Sequence, residues 1–346
     1  MKRFCLATLI VALPWVWTLA GPAGEEPSSA KSRVCPVDGE EITAECRVEI
    51  VGLRLYACSE ECLKKIADKG FITRQLSGKL RSEPEQIPVN RTRELRAEDV
   101  LADMVPIEDG EFVRRSRHYF QRGPEPVSGD SYKVQISAFH IDKHEVTNGD
   151  YCKFLNAGNA GYWTPWYPGI KRDEDGRFTP VQPDWAKLPV GCVNHYQARA
   201  YAQWAGKRLP TEAEWEFAAA GKEGRTYPWG DEEPGETRAN YGPRFGGRKP
   251  VGSFPAGRTP EGVFDLAGNI GEWCADYYDE DYYRKGPKDT LVKDPQGPES
   301  GSLRVHRVGC QCKRSTPTDL RPNARCASSP LRSSACLGFR CARSQE

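Results

Sequence analysis

A short helix with a complete N-terminal cap is the feature that most constrains how this chain folds. Thr211 follows a proline, and Glu214 stands three residues further on, which is the pattern of a reciprocal capping box. The sequence therefore predicts a helix after Thr211 that packs on a core through one side. The buried side is expected at Trp215 and Ala218 or Ala219, and the end of the helix at Gly221.

The same helix carries three glutamates, Glu212, Glu214 and Glu216, in or near its first turn. Carboxylates at this end of a helix compensate its dipole and are usually solvated. We therefore expect these side chains to be exposed and to take no part in catalysis.

Two further helices and one strand follow from local patterns. Thr147, with Asp150 three residues on, predicts a helix start, and Asn194 with Gln197 predicts a second capping box. The run Val134–Ile141 predicts a strand. The buried positions expected on the two helices are Tyr151, Phe154 and Leu155, then Ala198, Tyr201, Ala202 and Ala205, with Gly206 as the stop.

Composition sets the outer limits. The 346 residues are 38% hydrophobic and 28% charged, enough for one sizeable core and a small additional module. Lysine and arginine number 49 against 48 acidic residues, so net charge gives no attraction to nucleic acid. We expect two folded units and no nucleic-acid partner.

The N-terminus has the pattern of a secretion signal over residues 1–23. Lys2 and Arg3 precede the apolar run Phe4–Leu19, and the small residues of Ala20–Ala23 follow. The sequence predicts a secreted or periplasmic protein with no stable membrane span after the signal is removed. A retained N-terminal anchor is the alternative.

Residues 31–70 form a cysteine-rich module, expected as a β-hairpin followed by a helix. Val48–Tyr56 alternates as a hairpin does, and Cys58 and Cys62 begin a short helix on which both sulfurs share a face. With Cys35 they can converge on a soft ion, and Cys46 is a candidate fourth ligand. The spacing resembles TRASH and YHS metal-binding modules and favours zinc or copper over the alternative, structural disulfides.

A charged segment, residues 71–101, is expected as a linker with one short helix, and a large domain over residues 102–343 follows. Four blocks of this domain closely resemble the sulfatase-modifying-factor domain of formylglycine-generating enzymes. They are Gly206–Ala219, Tyr227–Asp231, Asp265–Cys274 and Leu337–Cys341.

The resemblance implies an α+β, loop-rich, C-type-lectin-like fold, whereas periodicity alone predicts only mixed α and β. It also implies that Met104–Val113 is the opening hairpin, with Gly110 at the turn.

Calcium is a further expectation from the resemblance, since family members hold it in these loops. The predicted ligands are the carboxylates of Asp265 and Glu272 and the carbonyls of Gly268 and Ile270, which are hard oxygen donors at alternating positions of one loop. The alternative is an Asx-type turn that needs no metal.

The segment around Cys312 decides the expected activity. Active formylglycine-generating enzymes carry two cysteines five apart that hold copper(I), and aligning on Cys-x-Arg-Ser puts the first on Cys312 and the second on Pro317. Proline has no thiol, so this two-thiolate copper site cannot form as in the active enzymes.

Three explanations remain open: loss of catalysis with a retained binding groove, relocation of the second sulfur to Cys310, or structural disulfides. The cysteines considered for such disulfides are Cys326, Cys336 and Cys341, and Cys152, Cys192 and Cys274 are also available for pairing.

By resemblance, the expected activity is the oxidation of a substrate-protein cysteine to formylglycine with copper and oxygen. Cys312 would exchange with the substrate, Arg314 and Ser315 would orient the peptide or oxygen, and Cys310 would replace the missing thiol. The expected partner is a protein or peptide, such as a sulfatase or a metalloenzyme. The alternative is a non-catalytic binding or metalloenzyme-maturation accessory protein.

Overall fold

The computed structural model describes residues 46–50, 53–57, 85–86, 89–90, 96–115, 117–118, 131–164, 167–282, 290–307, 309–310 and 315–345. The chain divides into two units, Met1–Pro88 with Ala160–Pro165 and Val89–Asn159 with Trp166–Glu346. Within these described ranges, no helix is long and apolar enough to cross a membrane.

The first unit contains a three-stranded sheet. Its strands are β1 (Cys46–Ile50), β2 (Leu53–Ala57) and β3 (Glu85–Gln86), in the order β1-β2-β3. The hairpin predicted from the alternating residues is confirmed, because β1 and β2 pair antiparallel with Cys46 opposite Ala57. The predicted metal ligands Cys35, Cys58 and Cys62 lie outside the described residues, so the metal module stays a prediction.

Among the described residues, the second unit contains the α-helices and most of the strands. The helices are α1 (Ala97–Leu101), α2 (Asn148–Asn156), α3 (His195–Trp204) and α4 (Glu212–Ala220). The strands are β4 (Met104–Ile107), β5 (Gly110–Arg115), β6 (Arg117–His118), β7 (Ser131–Ile136), β8 (Phe139–Asp142), β9 (Ile170–Arg172), β10 (Phe178–Pro180), β11 (Gly271–Tyr277), β12 (Val292–Lys293), β13 (Arg304–Arg307), β14 (Ala324–Ser328), β15 (Leu337–Gly338) and β16 (Ala342–Ser344).

These strands form a mixed sheet and three smaller ones. The largest has five strands in the order β15-β11-β13-β14-β6. Two three-stranded sheets have the orders β12-β7-β5 and β16-β8-β4, and β9 pairs with β10. The α+β class expected from the sequence fits this arrangement.

The three predicted helix starts are confirmed. The Thr147 hydroxyl accepts the Asp150 N–H at the start of α2. Asn194 with Gln197 and Thr211 with Glu214 form complete capping boxes at α3 and α4, and Gly221 ends α4 with φ 67°. Local hydrogen bonding within three residues therefore fixes where these helices begin.

Two strand predictions were wrong, one about which strands pair and one about where a strand ends. Met104–Val113 is not a hairpin, because β4 pairs with β8 while β5 pairs with β7 in another sheet. Val134–Ile141 is not one strand, because β7 ends at Ile136 and β8 begins at Phe139. The Asp294 carboxylate holds the break by accepting the N–H and hydroxyl of Ser137, both at 2.7 Å.

Helix α4 is buried on all sides, which corrects the expectation of solvated glutamates. Glu212 is 0% exposed, Glu216 is 3% exposed and Glu214 is 8% exposed. Glu214 still acts as a cap and also pairs with Arg208 at 2.6 Å. The other two carboxylates point into the protein, where a charge must find a partner to be tolerated.

Their partners are three buried arginines from three strands. Arg114 of β5 lies 3.0 Å from Glu212 and 2.9 Å from Glu216. Arg325 of β14 binds Glu212 through Nε at 2.8 Å and Nη2 at 3.1 Å. Arg307 of β13 donates to Glu216 at 2.9 Å. We call these five residues the ion cluster; it ties α4 to β5, β13 and β14.

Replacing Glu212 by glutamine is expected to destabilise the protein by about 3–5 kcal/mol, because the buried Arg325 then has no carboxylate and Arg114 keeps only that of Glu216. Urea unfolding measures this difference. Glu223→Gln is the control, since this side chain is 71% exposed and pairs only at 3.9 Å; its stability should change by less than about 0.5 kcal/mol. Equal midpoints for the two variants would contradict a structural role for the cluster.

Candidate functional site

The candidate site is the loop that joins β13 to β14 and contains the predicted catalytic residues. Cys310 and Ser315 are described, whereas Cys312 and Arg314 lie outside the described residues. The roles assigned to Cys312 and Arg314 stay predictions.

Arg307 fixes both ends of this loop. It is the last residue of β13, and its Nη1 donates to the carbonyl oxygen of Pro322, at 2.7 Å, where the chain returns. Its Nη2 donates to the carbonyl oxygen of Glu212 at 2.8 Å and to the Glu216 carboxylate. One guanidinium therefore anchors the start and the end of the loop to α4, through the fork geometry that arginine provides.

Pro317 is part of a regular turn. It is the first residue of a 3₁₀ helix, Pro317–Leu320, a position where a missing N–H costs nothing. The Asp319 carboxylate accepts from the N–H of Thr316 at 2.8 Å and from its hydroxyl at 2.9 Å. The residue at the position of the family's second cysteine thus begins a capped helical turn.

Cysteines in the described part of the chain fall into two groups. Cys310 and Cys336 are disulfide-bonded. Burial raises the pKa of each free thiol, to about 11 for Cys152. These free cysteines are Cys152, Cys192, Cys274, Cys326 and Cys341. None of them has the lowered pKa that marks an activated thiolate.

An aromatic and cationic cluster borders the end of the loop. The rings of Tyr227 and Trp229 stack with centroids 5.2 Å apart, and the Arg244 guanidinium lies 4.9 Å from the centre of the Tyr241 ring. Trp229 is half-buried and Arg244 is exposed. Together with Ser315 we call these residues the Ser315 cluster.

Ser315 lies against this aromatic group with its hydroxyl free. A Cβ added to Gly242 would lie 3.4 Å from the Ser315 carbonyl oxygen, which places Ser315 beside Tyr241. The Ser315 side chain is buried, and within the described residues its Oγ has no hydrogen-bond partner. The described residues therefore leave the hydrogen-bonding capacity of this hydroxyl unsatisfied.

The predicted calcium loop is tightly turned, with φ 57° at Asp265 and 53° at Asn269. Glu272 is already engaged, because Arg340 donates to both carboxylate oxygens at 2.7 Å and the Trp215 indole donates to one of them at 2.7 Å. Asp265 accepts the N–H of Gly252 at 2.7 Å. Among the described residues no group of three His, Cys, Asp or Glu side chains is arranged to hold a metal. Calcium at Asp265, Gly268, Ile270 and Glu272 stays a prediction.

Several residues of the site were missed by sequence reasoning. Arg307 and Arg325 are charged residues in short strands, and nothing local signals that they are buried. Trp229 belongs to the Tyr227–Asp231 block that carries the resemblance, but neither it nor Tyr241 was assigned to a peptide-binding surface. The clustering of aromatic residues and glycines from residue 227 onward is the signal that could have pointed to them.

The fold and this loop define a domain similar to formylglycine-generating enzymes. Residues 91–345 match the family model described as "Sulfatase-modifying factor enzyme 1-like domain". The chain therefore belongs to the sulfatase-modifying factor enzyme 1-like family.

Relatives in this family carry different names. The formylglycine-generating enzyme of Thermomonospora curvata is 32% identical over 294 residues, covering 71% of this chain and 94% of that protein. The serine/threonine-protein kinase pkn1 of Chlamydia caviae is 37% identical over 257 residues, or 72% of this chain, but the match spans only 39% of the kinase-named protein. Among solved structures, PvdO from Pseudomonas aeruginosa matches with a TM-score of 0.52 and 27% identity, covering 70% of this chain and 94% of that one.

Arg307→Lys is expected to loosen the loop, because lysine keeps the charge but cannot bind the Pro322 carbonyl and the α4 groups at once. Amide hydrogen exchange of residues 315–324 should speed up, and each lost charged hydrogen bond should cost about 1.5–3 kcal/mol.

Arg304→Lys is the matched control for this variant. Arg304 lies in the same strand, is also buried and donates to the carbonyl of Ala275 at 2.8 Å. Equal protection of residues 315–324 in both variants would show that Arg307 does not hold the loop.

Proposed function

We propose that the sulfatase-modifying-factor domain of this chain binds a segment of a partner protein beside Ser315 and does not convert a cysteine to formylglycine. The observation that carries the proposal is Pro317 at the first position of the capped 3₁₀ helix. A copper(I) site of two thiolates needs a sulfur at the position of Pro317 as well as at Cys312, and proline has none.

The other described cysteines support the same conclusion. Cys310, the predicted replacement, is disulfide-bonded and so holds no free thiolate. The free thiols have pKa values raised by burial, which disfavours the thiolate that binds copper. Cys312 by itself would supply one ligand, whereas the chemistry implied by the resemblance uses two.

The Ser315 cluster supplies the chemistry for binding. Trp229 offers a half-buried indole face, on which an arginine or an apolar side chain of the partner can stack. Arg244 is exposed and can pair with a carboxylate. The Ser315 hydroxyl is buried and has no hydrogen-bond partner among the described residues, so a local rearrangement of the loop would let it bond the backbone of the bound segment. These three groups fit an extended peptide rather than a nucleic acid, since only one of them carries a positive charge.

The remaining expectations belong to the same proposal. The domain would act after export, with the N-terminal cysteines Cys35, Cys46, Cys58 and Cys62 holding zinc or copper and the Asp265 loop holding calcium. Its partner would be a sulfatase or a metalloenzyme that needs maturation outside the cytoplasm. Soft-metal ligands in the same chain as a peptide-binding domain would suit that task.

No aldehyde is expected when the full chain, supplied with copper(I) and oxygen, is incubated with a peptide containing Cys-x-Pro-x-Arg. Mass spectrometry of the peptide and an aldehyde-reactive label provide two readouts. A formylglycine-generating enzyme run in parallel is the positive control. Aldehyde made by the folded wild-type chain would contradict the proposal and restore the oxidase function.

The same peptide is expected to bind, and Trp229→Ala should weaken the binding about tenfold, or by about 1.4 kcal/mol, because it removes the stacking surface. Ser315→Ala should weaken it by a similar factor through the lost hydrogen bond. Calorimetric titration measures both effects.

Trp185→Ala is the matched control for the binding measurement. Trp185 is a half-buried tryptophan of the separate 3₁₀ helix Pro183–Lys187. The peptide should bind this variant as it binds the wild type. Equal affinity of the Trp229 and Trp185 variants, or no binding by the wild type, would refute a peptide site at the Ser315 cluster.

A further inference from the structure

A free cysteine lies next to a disulfide-bonded one in the second unit. The segments that carry them run antiparallel, because the N–H of Cys192 donates to the carbonyl of Ser334 at 2.8 Å. A Cβ on Gly191 would lie 2.9 Å from the Ala335 carbonyl oxygen. A Cβ on Gly338 would overlap the carbonyl oxygen of Val190. The backbone of Cys192 is thus hydrogen-bonded to Ser334, which precedes Cys336 by two residues in the sequence.

The same place lies close to the base of the candidate loop. A Cβ on Gly271 would lie 2.9 Å from the carbonyl oxygen of Arg307 and 3.2 Å from that of Cys336. The end of β13 and Cys336 therefore flank one residue of β11. Cys310 follows Arg307 by three residues and is, like Cys336, disulfide-bonded. Three cysteines are brought to one end of the five-stranded sheet.

Cys192 differs from the other free cysteines in its backbone. Its φ is 61°, in the left-handed region that a residue with a Cβ rarely adopts. Such a conformation costs on the order of 1–3 kcal/mol and persists where the surroundings impose it, often at functional positions. Cys192 is also only partly buried, unlike Cys152, Cys274 and Cys341.

A cation lies beside this thiol. Burial raises the pKa of Cys192, and the charge of Arg248 opposes that effect. Arg248 donates through Nη1 to the Pro189 carbonyl at 2.7 Å, and its charge interacts with Cys192 and Glu145. The guanidinium is thus available to stabilise a thiolate as it forms.

We propose that Cys192 and the disulfide of Cys336 form a thiol–disulfide exchange pair. The Cys192 thiol loses its proton, its sulfur attacks the sulfur of Cys336, and a Cys192–Cys336 bond forms. The existing bond of Cys336 breaks, and the sulfur that leaves accepts the proton. The number of disulfides is unchanged, so no external oxidant or reductant is needed.

Alkylation of the native full chain, followed by non-reducing digestion and mass spectrometry, tests the exchange. Peptides linked through Cys192 and Cys336 are expected, and their rate of appearance should rise about tenfold per pH unit from about pH 7 to about pH 9, because the thiolate attacks. Cys192→Ser should abolish them. Arg248→Gln should slow their formation near pH 7, whereas Arg248→Lys should largely preserve it.

Cys326→Ser is the matched control. Cys326 is also free and partly buried, and burial raises the pKa of its thiol, but it lies on β14. It should leave the linked peptides unchanged. Absence of the Cys192–Cys336 link up to about pH 9, or scrambled links that include Cys326 and so report unfolding, would overturn the proposal. Thermal unfolding of each variant confirms that it is folded. The experiment contains no peptide ligand, so its result is independent of binding at the Ser315 cluster.

Discussion

The ion cluster is the interaction on which the rest of the second unit depends. Two carboxylates on one face of α4 must meet guanidinium groups from β5, β13 and β14 at the same time. Burying five charges has a large desolvation cost, so their net contribution to stability is smaller than the contacts suggest. What the cluster enforces is register: a strand shifted by one residue would place its arginine on the opposite face and leave a buried charge unpaired.

Arg307 connects this frame to the candidate site. It is a member of the ion cluster, and it also binds the carbonyl of Pro322 across the loop. The two ends of the loop are therefore fixed by the frame, whereas the residues between them are free to change. This explains how Pro317 can stand where the resemblance expects a thiolate without disturbing the fold. One fold can carry different activities, and the relatives of this chain bear different names.

The sequence predicted what local contacts decide and missed what distant contacts decide. The capping boxes at Asn194 and Thr211 join groups three residues apart, so they can be predicted from the local sequence. Glu212 meets Arg325 across 113 positions of the chain, and no local rule shows that a first-turn glutamate is buried. The resemblance located the strands within Met104–Val113, but their pairing with β8 and β7 depends on tertiary packing. In the site, Ser315 and Cys310 were found from motif spacing, whereas Trp229, Arg307 and Cys192 required the fold.

The free cysteines of this domain differ in how deeply they are buried and in the charges around them, and these differences decide how reactive each thiol is. Cys274 and Cys341 are fully buried, where a thiolate would be desolvated and the thiol behaves as a small apolar side chain. Cys192 is partly exposed, has a cation beside it and lies in backbone contact with the segment of a disulfide. The sulfur chemistry proposed for this domain would therefore take place at the sheet end near Gly271, where the segment of Cys336 lies close to the base of the candidate loop.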